Sequence, residues 1–85
     1  MNSYSQLKWA CRRGMLELDV LLGSFLEQRY LMLSNEEQQA FTQLLSEPDP
    51  LLFAWLLGQE DVAVDPSFFH IVELIRRHAR NPIRP

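Results

Sequence analysis

Cysteine is nearly absent: Cys11 is the only one in 85 residues. An internal disulfide is therefore excluded, and with His70 and His78 far along the chain Cys11 cannot anchor a zinc site with them. A reducing, cytoplasmic setting follows as the expectation. Glycine and proline are also sparse, at 3 and 5 residues, and Pro48, Pro50, Pro66, Pro82 and Pro85 fall between apolar periods, not inside them. Long hydrophobic runs are missing too. The longest unbroken one spans only Leu51 to Leu57, and Met1 to Gly14 holds no apolar stretch of signal-peptide length, so neither export nor a membrane span is expected.

What remains is an ordinary globular composition, 47% hydrophobic and 22% charged, which is expected to fold as one domain over residues 1–85. The net charge of −3 is uneven. Residues 1–75 carry four basic side chains against all 11 acidic ones, a balance of −7, while Arg76, Arg77, Arg80 and Arg84 form a basic end. Such an acidic body disfavours nucleic acid phosphates, and the segment from about residue 80 reads as a flexible basic tail.

Apolar spacing predicts an all-α, small single-domain bundle of five short helices. Tyr4, Leu7 and Cys11 mark a first helix over Ser5 to Arg13, with Gly14 as a stop or bend. Leu18, Leu21, Leu22, Phe25 and Leu26 mark a second, in which Gly23 costs roughly 1 kcal/mol against alanine, and which fades near Tyr30 and Leu33. Ser34 and Glu37 have capping-box spacing, so a third helix starts there, buries Phe41, Leu44 and Leu45, and ends at Pro48. Asp49-Pro50 and Asp65-Pro66 repeat one device, an aspartate N-cap followed by proline in the first turn. They open a fourth helix through Leu51, Leu52, Trp55 and Leu56 to Gly58, and a fifth through Phe68, Ile71, Val72 and Ile75 to about Arg80.

Enzyme chemistry finds little support. No glycine-rich phosphate loop, nucleophile elbow or metal motif is present. His70 and His78 read as solvated or capping residues of the last helix, and Cys11 as a small core residue. Asp49, Glu60, Asp61 and Asp65 are turn residues whose spacing forces no convergence. Phe41, Phe53, Trp55, Phe68 and Phe69 are the large side chains a domain of this size needs for its core, in preference to a flavin pocket.

The first helix offers a binding face instead. At about 100° per residue, Trp9 and Arg13 lie opposite the Tyr4, Leu7, Cys11 stripe, with Arg12 to one side. Tryptophan and arginine are the residue types most enriched at binding hot spots. Gly14 would let a partner backbone approach closely, and along a continuous helical path Arg13 and Glu17 would be i and i+4 neighbours forming a charge pair. On that reading Gly14→Arg should block the approach while leaving the fold largely intact.

Trp9-Ala10-Cys11-Arg12-Arg13-Gly14-Met15, followed by Glu17-Leu18-Asp19, resembles the signature of the bacterial FAD assembly factors for succinate dehydrogenase, whose hallmark is Arg-Gly-x-x-Glu. The similarity extends through Phe25, Tyr30, Leu33-Ser34, Glu37, Asp49-Pro50 and Leu52 to Leu56; Gly58 to Val64 reads as variable, and the segment after Ile75 is assigned to no pattern. The resemblance implies a small five-helix domain that binds the flavoprotein subunit of succinate dehydrogenase, and of fumarate reductase, and promotes covalent attachment of FAD to a histidine of that subunit. It implies a helper and not a catalyst, a monomer when free, with FAD held by the client. Arg13, Gly14 and Glu17 would lie on the docking surface, and the helix reading adds Trp9, Arg12 and Asp19 beside them. An antitoxin-like or other small regulatory helical module is the competing reading.

Overall fold

The computed structural model describes residues 4–58 and 63–80. Among them are five α-helices and no strand: α1 (Tyr4–Ala10), α2 (Leu16–Arg29), α3 (Asn35–Leu44), α4 (Asp49–Leu56) and α5 (Phe69–Arg80). Single 3-10 turns, Tyr30–Met32 and Pro66–Phe68, extend α2 and lead into α5. Glu60 and Asp61, and the basic tail with Arg84, lie outside the described residues.

Local chemistry explains most of the boundaries. The Ser34 hydroxyl accepts from the Glu37 amide while the Glu37 carboxylate accepts from the Ser34 amide, so the expected capping box starts α3. That hydrogen bond from the Ser34 backbone, followed by one with His70 at 2.6 Å, holds the Glu37 carboxyl below its ordinary pKa. Asp65 accepts from the Ser67 amide at 2.9 Å and caps the turn into α5, also as expected. The second aspartate-proline pair behaves differently: Pro48 is the N-cap of α4, and Asp49, already in the helix, makes no capping bond. Its carboxylate is taken by Arg13.

Helices this short are marginal alone and stand on shared burial. α2 supplies Leu18, Leu21, Leu22, Phe25 and Leu26 to one core with Phe41 and Leu44 of α3, Leu52 and Trp55 of α4, and Ile71, Val72 and Ile75 of α5. α2 and α5 are packed together at the centre, α1 and α4 rest on α2, and α3 rests on α5. Phe25 and Phe41 meet with ring centroids 5.4 Å apart. Two aromatic residues expected in the core point outward: Phe53 is 36% and Phe69 57% exposed. Each follows or precedes a residue that already faces in, and neighbours on a helix diverge by about 100°.

His78 departs furthest from its sequence reading. It is 2% exposed, not solvated, with Nε2 2.8 Å from Ser24 Oγ and its ring edge-on to Phe25. Arg29 Nε donates to Nδ1 at 3.2 Å, which makes Nδ1 the acceptor and places the single ring proton on Nε2, facing Ser24. Burial first, and the Arg29 cation second, push its pKa below the ordinary histidine value. The unfolded chain therefore binds a proton that the folded one refuses, and stability falls as pH drops below about 6.5. Thermal melts from pH 7 to pH 5 should show this decline, and His78→Gln, which cannot titrate, should flatten it.

Candidate functional site

The chain leaves α1 through a turn in which the Cys11 amide donates to Leu7 O and the Arg12 amide to Trp9 O, each at 3.0 Å. It then reverses at Gly14, whose φ is +84°, and enters α2 at Leu16. Left-handed backbone strains any residue with a Cβ, so glycine is required here for conformation, at a cost of about 1 kcal/mol or more for any replacement. A Cβ would meet no atom within 4 Å. Gly14→Arg is therefore not the clean surface probe that a simple bend would allow.

The reversal is locked from both sides. The Arg13 amide donates to Asp19 Oδ1 at 2.6 Å, tying the link to the first turn of α2. The Arg13 side chain, only 15% exposed, turns inward: Nε donates to Asp49 Oδ1 at 2.8 Å, and its terminal nitrogens donate to Ala10 O, Leu45 O and Glu47 O at 2.8 to 2.9 Å. One guanidinium thus joins the end of α1, the end of α3 and the start of α4. Two of the carbonyls it takes, Ala10 O and Leu45 O, are ones left without helical partners at helix ends, and the third, Glu47 O, belongs to the link between α3 and α4. Arg13 and Glu17 are not the i, i+4 pair of a continuous helix, because helical geometry stops at Ala10 and Arg13 is engaged elsewhere.

Around this lock several side chains stand out in solvent. Trp9 is 72% exposed, and the Arg12 guanidinium sits 5.6 Å from its ring centroid in a cation–π arrangement. Glu17 is exposed on the first turn of α2, where its charge suits the positive end of the helix dipole. Leu16 at 78% and Val20 at 61% add an apolar element that the sequence reading missed. Its signal was present, since the two are i and i+4 neighbours on the side of α2 opposite the Leu18 and Phe25 stripe. Trp9, Arg12, Gly14 and Glu17 are thus all open to solvent, whereas Arg13 and Asp19 are half-buried and bonded beneath them.

Other candidate chemistry finds no setting. Burial pushes the Cys11 thiol up to about 11, so it stays protonated at neutral pH and behaves as the core residue expected. Among the described residues no group of three or more His, Cys, Asp or Glu side chains is placed to hold a metal ion. Among the described residues no helix is long and apolar enough to cross a membrane. Phe41, Trp55 and Phe68 are core residues, as expected.

The profile of the family described as "Flavinator of succinate dehydrogenase" matches residues 5–79. The protein named FAD assembly factor SdhE of Shewanella oneidensis is 47% identical over 79 residues, covering 93% of this chain and 95% of its own. Those of Coxiella burnetii, 46% identical over 72 residues (85% and 83% of the two chains), and Yersinia pestis, 41% over 85 residues (98% and 96%), carry the same name. With a match that runs from the first turn of α1 into the last turn of α5 and takes in the locked Arg13-Gly14 reversal, the chain belongs to the succinate dehydrogenase flavinator family.

Proposed function

We propose that this protein is an assembly factor that docks on the flavoprotein subunit of succinate dehydrogenase, and of fumarate reductase, and promotes covalent attachment of FAD to a histidine of that subunit. The observation that carries the proposal is the exposed face of Trp9, Arg12, Leu16, Glu17 and Val20 built around the rigid Gly14 reversal. A large planar aromatic, a stacked guanidinium and two aliphatic side chains form the composition of a protein-binding hot spot. Gly14 brings the backbone to the surface between them, and Arg13 and Asp19 hold that backbone from below.

The factor works in the cytoplasm as a monomer, and it is not the catalyst. It stabilises an assembly conformation in which the client holds its own FAD near the attachment histidine, and the client's groups carry out the bond formation. The competing reading, an antitoxin-like or other small regulatory helical module, would draw on the basic side chains of α5. Arg76 there donates to Trp55 O, while Arg77 and Arg80 share the partly exposed Glu73 carboxylate, which offsets part of that charge locally.

The test is co-expression of the client flavoprotein subunit with and without this chain, in a host deprived of its own factor. Covalent flavin, read by fluorescence of the denatured subunit in a gel, is expected only when the chain is present. Equal fluorescence in the two cultures would overturn the proposal.

A further inference from the structure

Between α1 and α2 runs an open groove of about 520 Å³, with Tyr4, Lys8 and Arg12 on one wall and Asp19, Val20 and Glu27 on the other. Gly23 lies at its floor, in the middle of α2, and a Cβ there would meet no atom within 4 Å. Unlike Gly14, Gly23 has no left-handed backbone to explain it. Nothing in the free domain requires glycine at a position where alanine would make a better helix. Leu16, Val20, Gly23 and Glu27, at i, i+4, i+7 and i+11, fall along one line of α2 facing away from the core. The groove is thus a continuation of the exposed face that begins at Leu16.

We infer that this groove is a seat for an amphipathic helix of the client flavoprotein subunit, with a small or aliphatic side chain resting over Gly23. This inference rests on the docking function proposed above and specifies the partner's chemistry. The walls are the flanks of two helices whose backbone groups are already bonded along their own axes, so they offer no ladder to an extended strand. A helix, whose backbone groups are already bonded along its own axis, suits such walls best. The walls also differ in charge: Lys8 of α1 and Arg12 of the turn after it line one side, Asp19 and Glu27 of α2 the other. The matching helix carries carboxylates along the edge toward α1, cations along the edge toward α2, and an apolar stripe between them.

The experiment compares Gly23→Ala, Gly23→Leu, Lys8→Glu and Leu16→Ser, each as the full chain, by thermal melting and by titration against the purified client flavoprotein subunit. Gly23→Ala should raise Tm by about 4–8 °C while weakening binding, so lost affinity cannot be blamed on lost fold. Gly23→Leu should weaken binding by about tenfold or more, as expected when a filled site is overpacked. Lys8→Glu should slow association and reduce its sensitivity to salt. If Leu16→Ser weakens binding while both Gly23 variants bind as tightly as the wild type, the groove is empty in the complex and the inference is wrong, though the docking face stands. If none of the four weakens binding, the docking face falls and the groove falls with it.

Discussion

Arg13→Ala is expected to cost about 3 kcal/mol of stability, the low end of the range for breaking a buried ion pair, and at about 4–8 °C per kcal/mol to lower Tm by roughly 12–24 °C. The guanidinium makes four hydrogen bonds, to the Asp49 carboxylate and to the carbonyls of Ala10, Leu45 and Glu47. At about 1.5–3 kcal/mol per charge-assisted bond a simple sum would be larger. Asp49, however, is 35% exposed and can take up water when its partner is gone, which sets the low figure. The orphaned carbonyls at the ends of α1 and α3 account for most of the remaining loss. For a domain of this length total stability is on the order of 4–13 kcal/mol, so the loss takes from about a quarter to about three quarters of it.

Arg13→Lys should recover little, because a single ammonium group cannot span acceptors on three elements in the way a planar fork does. Asp49→Asn, which leaves the three carbonyl bonds in place, should be much milder. Denaturant melts of the three variants test this order. A normal Tm for Arg13→Ala combined with lost client binding would place the side chain at the interface after all and refute the structural role. Arginine and glycine in the Arg-Gly-x-x-Glu motif thus act mainly on the shape of the reversal. Arg13 anchors it, Gly14 permits its left-handed turn, and the Asp19 carboxylate closes it, leaving Glu17 of the motif facing solvent.

The difference between what the residues foretold and what they did is one of range. Capping at Ser34 and Asp65 depends on atoms two or three residues away, so sequence spacing alone places the start of α3 and the 3-10 turn that leads into α5. Arg13 depends on acceptors 32 to 36 positions along the chain, and helical projection past Ala10 put it on the wrong side. Asp49 was misassigned for the same reason: its spacing is that of an N-cap, but a guanidinium from another element reached it first. His78 looked like a solvated last-turn residue until Ser24, 54 positions away, supplied its partner and the core closed over it. Trp9 is legible because exposure on a short helix follows from its own apolar stripe, and Arg12, in the turn beyond, lies against its ring.

Trp9→Ala should do the opposite of Arg13→Ala, leaving the fold intact and removing function. Its ring is 72% exposed, so truncation should change stability by no more than about 0.5 kcal/mol, as for a surface substitution away from the core. At an interface the same ring is a hot-spot side chain worth about 2 kcal/mol or more, which is roughly a 30-fold weaker Kd for the client subunit. Arg12 holds the ring from one side, 5.6 Å from its centroid, so Arg12→Ala should weaken binding less and mainly at low salt. On the proposed mechanism, in which the factor acts by occupancy, raising the concentration of Trp9→Ala above its weakened Kd should restore covalent flavin in the client. A titration of flavin fluorescence against factor concentration reads this directly. A curve shifted to higher concentration with the same plateau is the expected result; a lowered plateau at saturation would mean that Trp9 takes part in the attachment step, and an unshifted curve would remove it from the docking face.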